Sequence, residues 1–132
     1  MKRFLAPILL LVFLFPSLAS GETMDDLVER EGLHYKKFTN VPFDGEVTGK
    51  EQGSFKDGKK DGPWISYWDN GQLVRKGTYK NGYMDGPWVS YWENGVLWSK
   101  GNYKDGEKDG PWVYYGTDGT VWEKYTGTYK DG

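Results

Sequence analysis

Side chains able to do acid–base or nucleophilic work are scarce in this sequence. It has one histidine, His34, and no cysteine, so neither a thiolate nor an imidazole pair is available for covalent catalysis, and no cluster has the His/Cys spacing of a zinc site. Two aspartate pairs, Asp57 with Asp61 and Asp105 with Asp109, would offer oxygen ligands to calcium. Calcium loops place their ligands at closer intervals, and Asp before Gly is ordinary turn chemistry. The segment Asp57-Gly58-Lys59-Lys60-Asp61-Gly62 has the paired glycines of a phosphate loop, but neither the Gly-Lys-Ser/Thr nor the helix that such a loop feeds. The acidic residues recur with the turns, unlike the isolated carboxylate pair of a glycosidase. The expectation is a protein with no catalytic residues, no metal and no cofactor. What the chain holds in quantity is aromatic surface, 7 Trp, 10 Tyr and 6 Phe in 132 residues, which suits non-covalent binding.

A repeat positions these aromatics. Gly53 opens GSFKDGKKDGPWISYWDNGQLVRK, Gly77 opens GTYKNGYMDGPWVSYWENGVLWSK and Gly101 opens GNYKDGEKDGPWVYYGTDGTVWEK, a period of 24 residues. The units run 53–76, 77–100 and 101–126, with a partial copy at 127–132 that arrives two residues late, after Tyr125-Thr126. An even insertion keeps the alternation of a strand's two faces. Each unit reads as a hairpin. Pro63–Trp68 is a strand with Pro63 at its start, where a missing N–H is tolerable. Asp69-Asn70-Gly71 is a turn, and Gln72–Lys80 returns. Asn81-Gly82 and Asp85-Gly86 close the next turn. The fold class expected is all-β, a single-layer antiparallel meander of repeated β-hairpins. One unit buries too little apolar area to offset the ordering of its backbone, so neighbours must cover each other.

The repeat separates scaffold from candidate surface. Trp64, Trp88, Trp112, Tyr67, Tyr91 and Tyr115 are identical in all three units, as expected of residues solving the same packing problem three times. Trp68 and Trp92 correspond to Gly116, and Trp98 and Trp122 correspond to Val74. Positions that vary are freer to face a partner, so Trp68, Trp92, Trp98 and Trp122 are the candidate binding residues, against the alternative that they pack between neighbouring hairpins. Lys76, Lys100 and Lys124 also share the period. With two strands per unit they would stand roughly 10 Å apart, as a solvated face or as a cationic ladder toward anionic lipid or glycan.

The motifs Gly-x-Tyr/Phe-Lys-Asp/Asn-Gly at 53–58, 77–82 and 101–106, Gly-Pro-Trp-x-x-Tyr at 62–67, 86–91 and 110–115, and Asn-Gly at 70–71 and 94–95 resemble MORN repeats, and among these the bacterial MORN-variant, antitoxin-like group. The resemblance covers about Phe43 to Gly132. It implies a twisted single-layer sheet of hairpins with a scaffold or binding role, sometimes at membranes. The antitoxin label implies neutralisation of a protein partner inside the cell.

The ends add a location and a cap. Lys2 and Arg3 precede an apolar run, Phe4 to Phe15, and the small residues Ser17, Ala19, Ser20 and Gly21, the pattern of a cleaved signal peptide over 1–21. The run is shorter than the roughly 20 residues a spanning helix needs. A secreted or periplasmic protein follows, which departs from an intracellular antitoxin. The chain has 17 basic and 19 acidic residues, and the leader holds two of the former and none of the latter, so nucleic acid is not an expected partner. Residues 22–52 form an N-terminal capping segment, read as a hairpin about Glu31-Gly32 in preference to a short helix capped by Thr23 and Asp26, with a degenerate half-repeat at Val41–Gly49. The sequence stops where another Asp-Gly-Pro-Trp strand is due, so either the protein is truncated or its last strand is an open edge, which would invite self-association. The partner expected first is a protein, then a glycan or an anionic lipid surface.

Overall fold

A computed structural model describes residues 21–130. The expected leader therefore lies outside the described residues, apart from Gly21. The strands are β1 (Glu22–Thr23), β2 (Leu27–Arg30), β3 (Leu33–Lys36), β4 (Gly45–Thr48), β5 (Glu51–Lys56), β6 (Lys59–Tyr67), β7 (Leu73–Lys80), β8 (Tyr83–Tyr91), β9 (Leu97–Lys104), β10 (Glu107–Tyr114) and β11 (Gly127–Tyr129). Nine of them form one sheet in the order β1-β4-β5-β6-β7-β8-β9-β10-β11, while β2 and β3 make a separate hairpin. From β4 onward every neighbour is antiparallel and consecutive in the chain. The single-layer meander of hairpins is the fold.

Local chemistry sets the two kinds of connection. Asp57-Gly58, Asn81-Gly82 and Asp105-Gly106 all have positive φ, the conformation of a two-residue turn whose twist matches the strands it joins. At the opposite end of the sheet, Trp68 to Gly71 and Trp92 to Gly95 turn more widely, with the Gly71 and Gly95 N–H groups donating to the Trp68 and Trp92 carbonyls, each at 2.9 Å. Asp85-Gly86, read from sequence as part of a turn, lies inside β8, and Pro63 lies inside β6 instead of at its start. The register breaks there. Gly53 faces Trp64 and Phe55 faces Lys60, so Ser54 stands opposite Asp61, Gly62 and Pro63. The proline's missing N–H falls where the ladder is already interrupted.

The core is a row of edge-to-face rings along one face of the sheet. Phe43, Phe55, Trp64, Tyr79, Trp88, Tyr103, Trp112 and Tyr129 follow one another with centroids 5.0 to 6.5 Å apart, the favoured geometry for aromatic pairs. Trp64, Trp88 and Trp112 lie over Gly53, Gly77 and Gly101 of the preceding strand, and a Cβ at any of these glycines would overlap the indole. The glycine that opens each unit is thus required by close approach of a ring, not by a turn.

The capping segment combines both sequence readings. Asp26 accepts hydrogen bonds from the Thr23 N–H at 2.8 Å and its hydroxyl at 3.1 Å, closing a 3-10 turn at Met24–Asp26. The β2–β3 hairpin about Glu31-Gly32 follows. It does not extend the sheet edge, which β1 occupies by pairing with β4 in parallel. It covers the first end of the ring row instead: the His34 ring lies 4.9 Å from Phe55, tilted by 50°, and Leu27 is buried with Val47 and Phe55. At the far end the third unit departs from the others. Val121 still bridges Tyr115 and the Trp122 N–H still bonds to the Tyr114 carbonyl. Glu123 to Thr126 then leave the sheet, and Gly127 rejoins it opposite Trp112, as Gly77 stands opposite Trp64.

Candidate functional site

The wide turns carry the candidate residues. Tyr67 pairs with Leu73 and Ser66 with Arg75, leaving Val74 as an extra residue. Tyr91 with Leu97 and Ser90 with Ser99 leave Trp98 in the same way. Such a bulge re-aims the side chain it carries. Trp98 lies 5.2 Å from Trp92, Trp92 lies 5.9 Å from Trp122, and Trp122 lies 5.9 Å from Tyr125, ring centre to ring centre. Trp98 and Trp122 are each 39% exposed, against 2–3% for the three tryptophans of the core row. Trp68 stands apart from this cluster but lines the same cleft as Trp98, a volume of about 710 Å³.

Trp68 and Trp92 have a structural duty that sequence comparison alone does not expose. The Trp68 indole N–H donates to the Tyr91 carbonyl at 3.3 Å, and that of Trp92 to the Tyr115 carbonyl at 2.9 Å. Asn70 donates to the Glu93 carbonyl at 2.9 Å and Asn94 to the Thr117 carbonyl at 3.0 Å. Each wide turn therefore clasps the next with two hydrogen bonds. Gly116 occupies the corresponding place in the third turn, and Trp122 fills the space above it. For Trp68 and Trp92 the variation between units follows the presence of a turn to clasp.

The charges around the cleft are partly paired. Lys50 donates to Asp69, a hydrogen bond that lowers the Asp69 pKa and raises that of Lys50. Glu51 accepts from the Trp64 indole at 3.2 Å and lies 3.7 Å from the Lys60 ammonium. Lys60 sits over the rings of Trp64 and Tyr79, at 4.2 and 5.1 Å. Burial pushes its pKa below the ordinary value, with Glu51 pulling the other way. Arg75 has no ion-pair partner among the described residues. Sequence reasoning passed over Arg75, although its position varies from Arg75 to Ser99 to Glu123 across the units, the same signal that singled out the tryptophans.

The other expectations find definite places. His34 is a capping residue, its N–H bonded to the Gly58 carbonyl at 2.8 Å. Asp61 accepts the Asn81 N–H at 3.3 Å. Lys76 and Lys100 share a row on the face opposite the core rings, alternating with Ile65, Val89 and Val113. Lys124 falls in the irregular segment and does not join them.

Residues 60–81 and 84–105 match the family model described as the MORN repeat variant. These two segments are similar to variant MORN repeats. Each match spans one hairpin, β6–β7 or β8–β9, including its wide turn, so the MORN unit begins near Lys60 instead of at Gly53. MORN repeats are in general non-catalytic modules that bind proteins or membranes. No curated protein matches the chain.

Proposed function

We propose that this protein is an exported, non-enzymatic scaffold, secreted or periplasmic, that binds a protein partner through the aromatic cluster at its wide turns. One observation carries the reading. Trp98 and Trp122 meet at Trp92 and remain substantially exposed, although neither supplies a clasp to a neighbouring turn. Large aromatic side chains held partly open to solvent are what binding surfaces concentrate. An antitoxin or immunity protein that neutralises its partner would be one form of the same activity.

The test is affinity capture with the immobilised protein, comparing wild type with a Trp98→Ala/Trp122→Ala variant. Trp68 and Trp92 are left intact because they hold the turns together. The expected result is a saturable protein retained by wild type and lost with the variant. Equal retention by both would remove the site.

A second reading rests on the opposite face. Lys76 and Lys100, set among Ile65, Val89 and Val113, make a flat row of cations and aliphatic groups suited to an anionic lipid or wall polysaccharide surface. Sedimentation with vesicles of anionic lipid, lost in Lys76→Gln/Lys100→Gln, would favour it.

A further inference from the structure

Resting on the aromatic cluster as the binding site, we propose that it engages an extended peptide segment of the partner, and that Arg75 selects a carboxylate side chain on that segment. The cross-strand register lines up Glu51, Ser66, Arg75, Ser90, Ser99 and Tyr114 in one row, one residue from each strand β5 to β10. The serines are small, so the row is the floor of a trough. The core rings stand along one side of it, with Trp68 and Trp98 along the other. The 710 Å³ cleft and a second one of about 220 Å³ share Arg75, Ser90 and Trp98, which makes the trough continuous. Six strands about 4.8 Å apart give it a length of roughly 24 Å, the span of about seven extended residues.

The charges name the ligand. Of the carboxylates lining the 710 Å³ cleft, Asp69 is held by Lys50 and Glu51 by Lys60 and the Trp64 indole, while Glu93 forms no ion pair with Arg75 or any other described residue. Arg75 is left at the floor between two serines, its guanidinium 5.9 Å from the Trp88 ring with no anion of its own among the described residues. A planar guanidinium in that position matches a carboxylate with two parallel hydrogen bonds, and the serine hydroxyls add donors beside it. The rim favours peptide over sugar. A saccharide stacks on flat, open ring faces, whereas Trp98 on the rim is tilted by 42° to Trp92 beside it, and the Trp68 indole N–H is already bonded to backbone. Tilted rings form notches for separate apolar side chains.

The probe is a set of heptapeptide pools, randomised over Phe, Leu, Ser and Thr and fixed at the central position as Glu, Gln or Lys, passed over the immobilised full-length protein. Trigalacturonate serves as the carboxylate-bearing sugar. Wild type should retain the Glu pool at least tenfold over the Gln and Lys pools. Arg75→Gln should abolish that preference with its far-UV dichroism and urea midpoint unchanged, and Arg75→Lys should restore part of it. Equal retention of the three pools, no retention of any, a Glu preference that survives Arg75→Gln, or Arg75-dependent binding of trigalacturonate alone would each overturn the inference. If capture of a protein still depends on Trp98 and Trp122 while the pools show no preference for Glu, the binding site stands and the carboxylate selection falls. Loss of the capture result itself would instead remove the site.

Discussion

Two sets of tryptophans sit within a few residues of each other and meet opposite fates. Trp64, Trp88 and Trp112 each lie over a glycine of the preceding strand and disappear into the ring row. Trp68, Trp92 and Trp98 stand at turns and a bulge, where no glycine makes room beneath them, and Trp122, which does lie over a glycine, Gly116, belongs to the irregular segment outside the regular strands and stays 39% exposed. The residue type is the same, so its identity does not decide burial. The cross-strand neighbour does. A sheet one layer thick has no second layer to pack against, and it builds a core only where one strand gives up its side chain for the ring of another.

That contrast can be broken most severely from the core side. Trp88→Ala should cost about 3–5 kcal/mol, read as a fall in the urea midpoint, because both Tyr79 and Tyr103 lose their edge-to-face partner. Gly77→Ala should cost about 1–3 kcal/mol by overpacking, although it adds one methyl group to a strand that otherwise welcomes it. Calorimetry should show its melting temperature well below that of an exposed Gly127→Ala control, where a Cβ meets nothing within 4 Å.

The turn-end tryptophans should respond on a smaller scale, and not alike. Trp92→Phe keeps a ring but orphans the Tyr115 carbonyl, an expected loss of about 1.5 kcal/mol in urea unfolding. Combined with Asn94→Ala it should show coupling, because both bonds hold one turn to the next. Trp98→Ala/Trp122→Ala should cost about 1 kcal/mol while abolishing partner capture. If that pair destabilised the protein as much as Trp88→Ala, the division into core and surface would fail.

The smallest effect is one of pH. Lys60 occupies the place that Met84 takes in the next unit and Lys108 in the third. Burial lowers the folded-state pKa of Lys60 below its ordinary 10.5. Between those two values the unfolded chain binds more protons, so stability should rise as pH climbs through the folded-state value. Burial raises the Tyr79 pKa above its ordinary 10.0, which acts in the opposite sense and only at higher pH. Urea midpoints for wild type relative to Lys60→Met should therefore rise with pH over the interval just below 10.5. Parallel profiles would show that the ring faces and Glu51 fully compensate the buried ammonium.

The array was legible because its signals are local and repeated. Asp-Gly and Asn-Gly pairs announce two-residue turns, and three copies in register announce a meander. The interruption at Asp85-Gly86 was not legible as a bulge, since Asp-Gly carries the same positive-φ signal in a strand as in a turn. The reason for Gly53, Gly77 and Gly101 was hidden for a different cause: it lies in a ring eleven residues away, brought close only by pairing. Comparing units selected Trp98 and Trp122 by a rule that also caught Trp68 and Trp92. The rule does not separate a residue freed from structural duty from one whose duty lapses where the next turn differs. Applied to every position, it would have found Arg75.

The clasp between turns has a direction. Asn70 and Asn94 accept locally, from the N–H of Gln72 and Val96, and donate forward. Asp118 in the third turn accepts from Thr120 in the same way, at 3.0 Å, but a carboxylate has no proton to pass on, and Gly116 has no indole. A duplicated unit inserted ahead of the third would receive two bonds and give two, so the array can lengthen there with no compensating change. The same duplicate placed after the third would meet a turn with nothing to hand forward, and it would need two substitutions, at positions 116 and 118, before it could be held. Growth by gene duplication is thereby polarised, and chains of this kind should vary in length at the front and middle of the array while keeping the composition of their final turn.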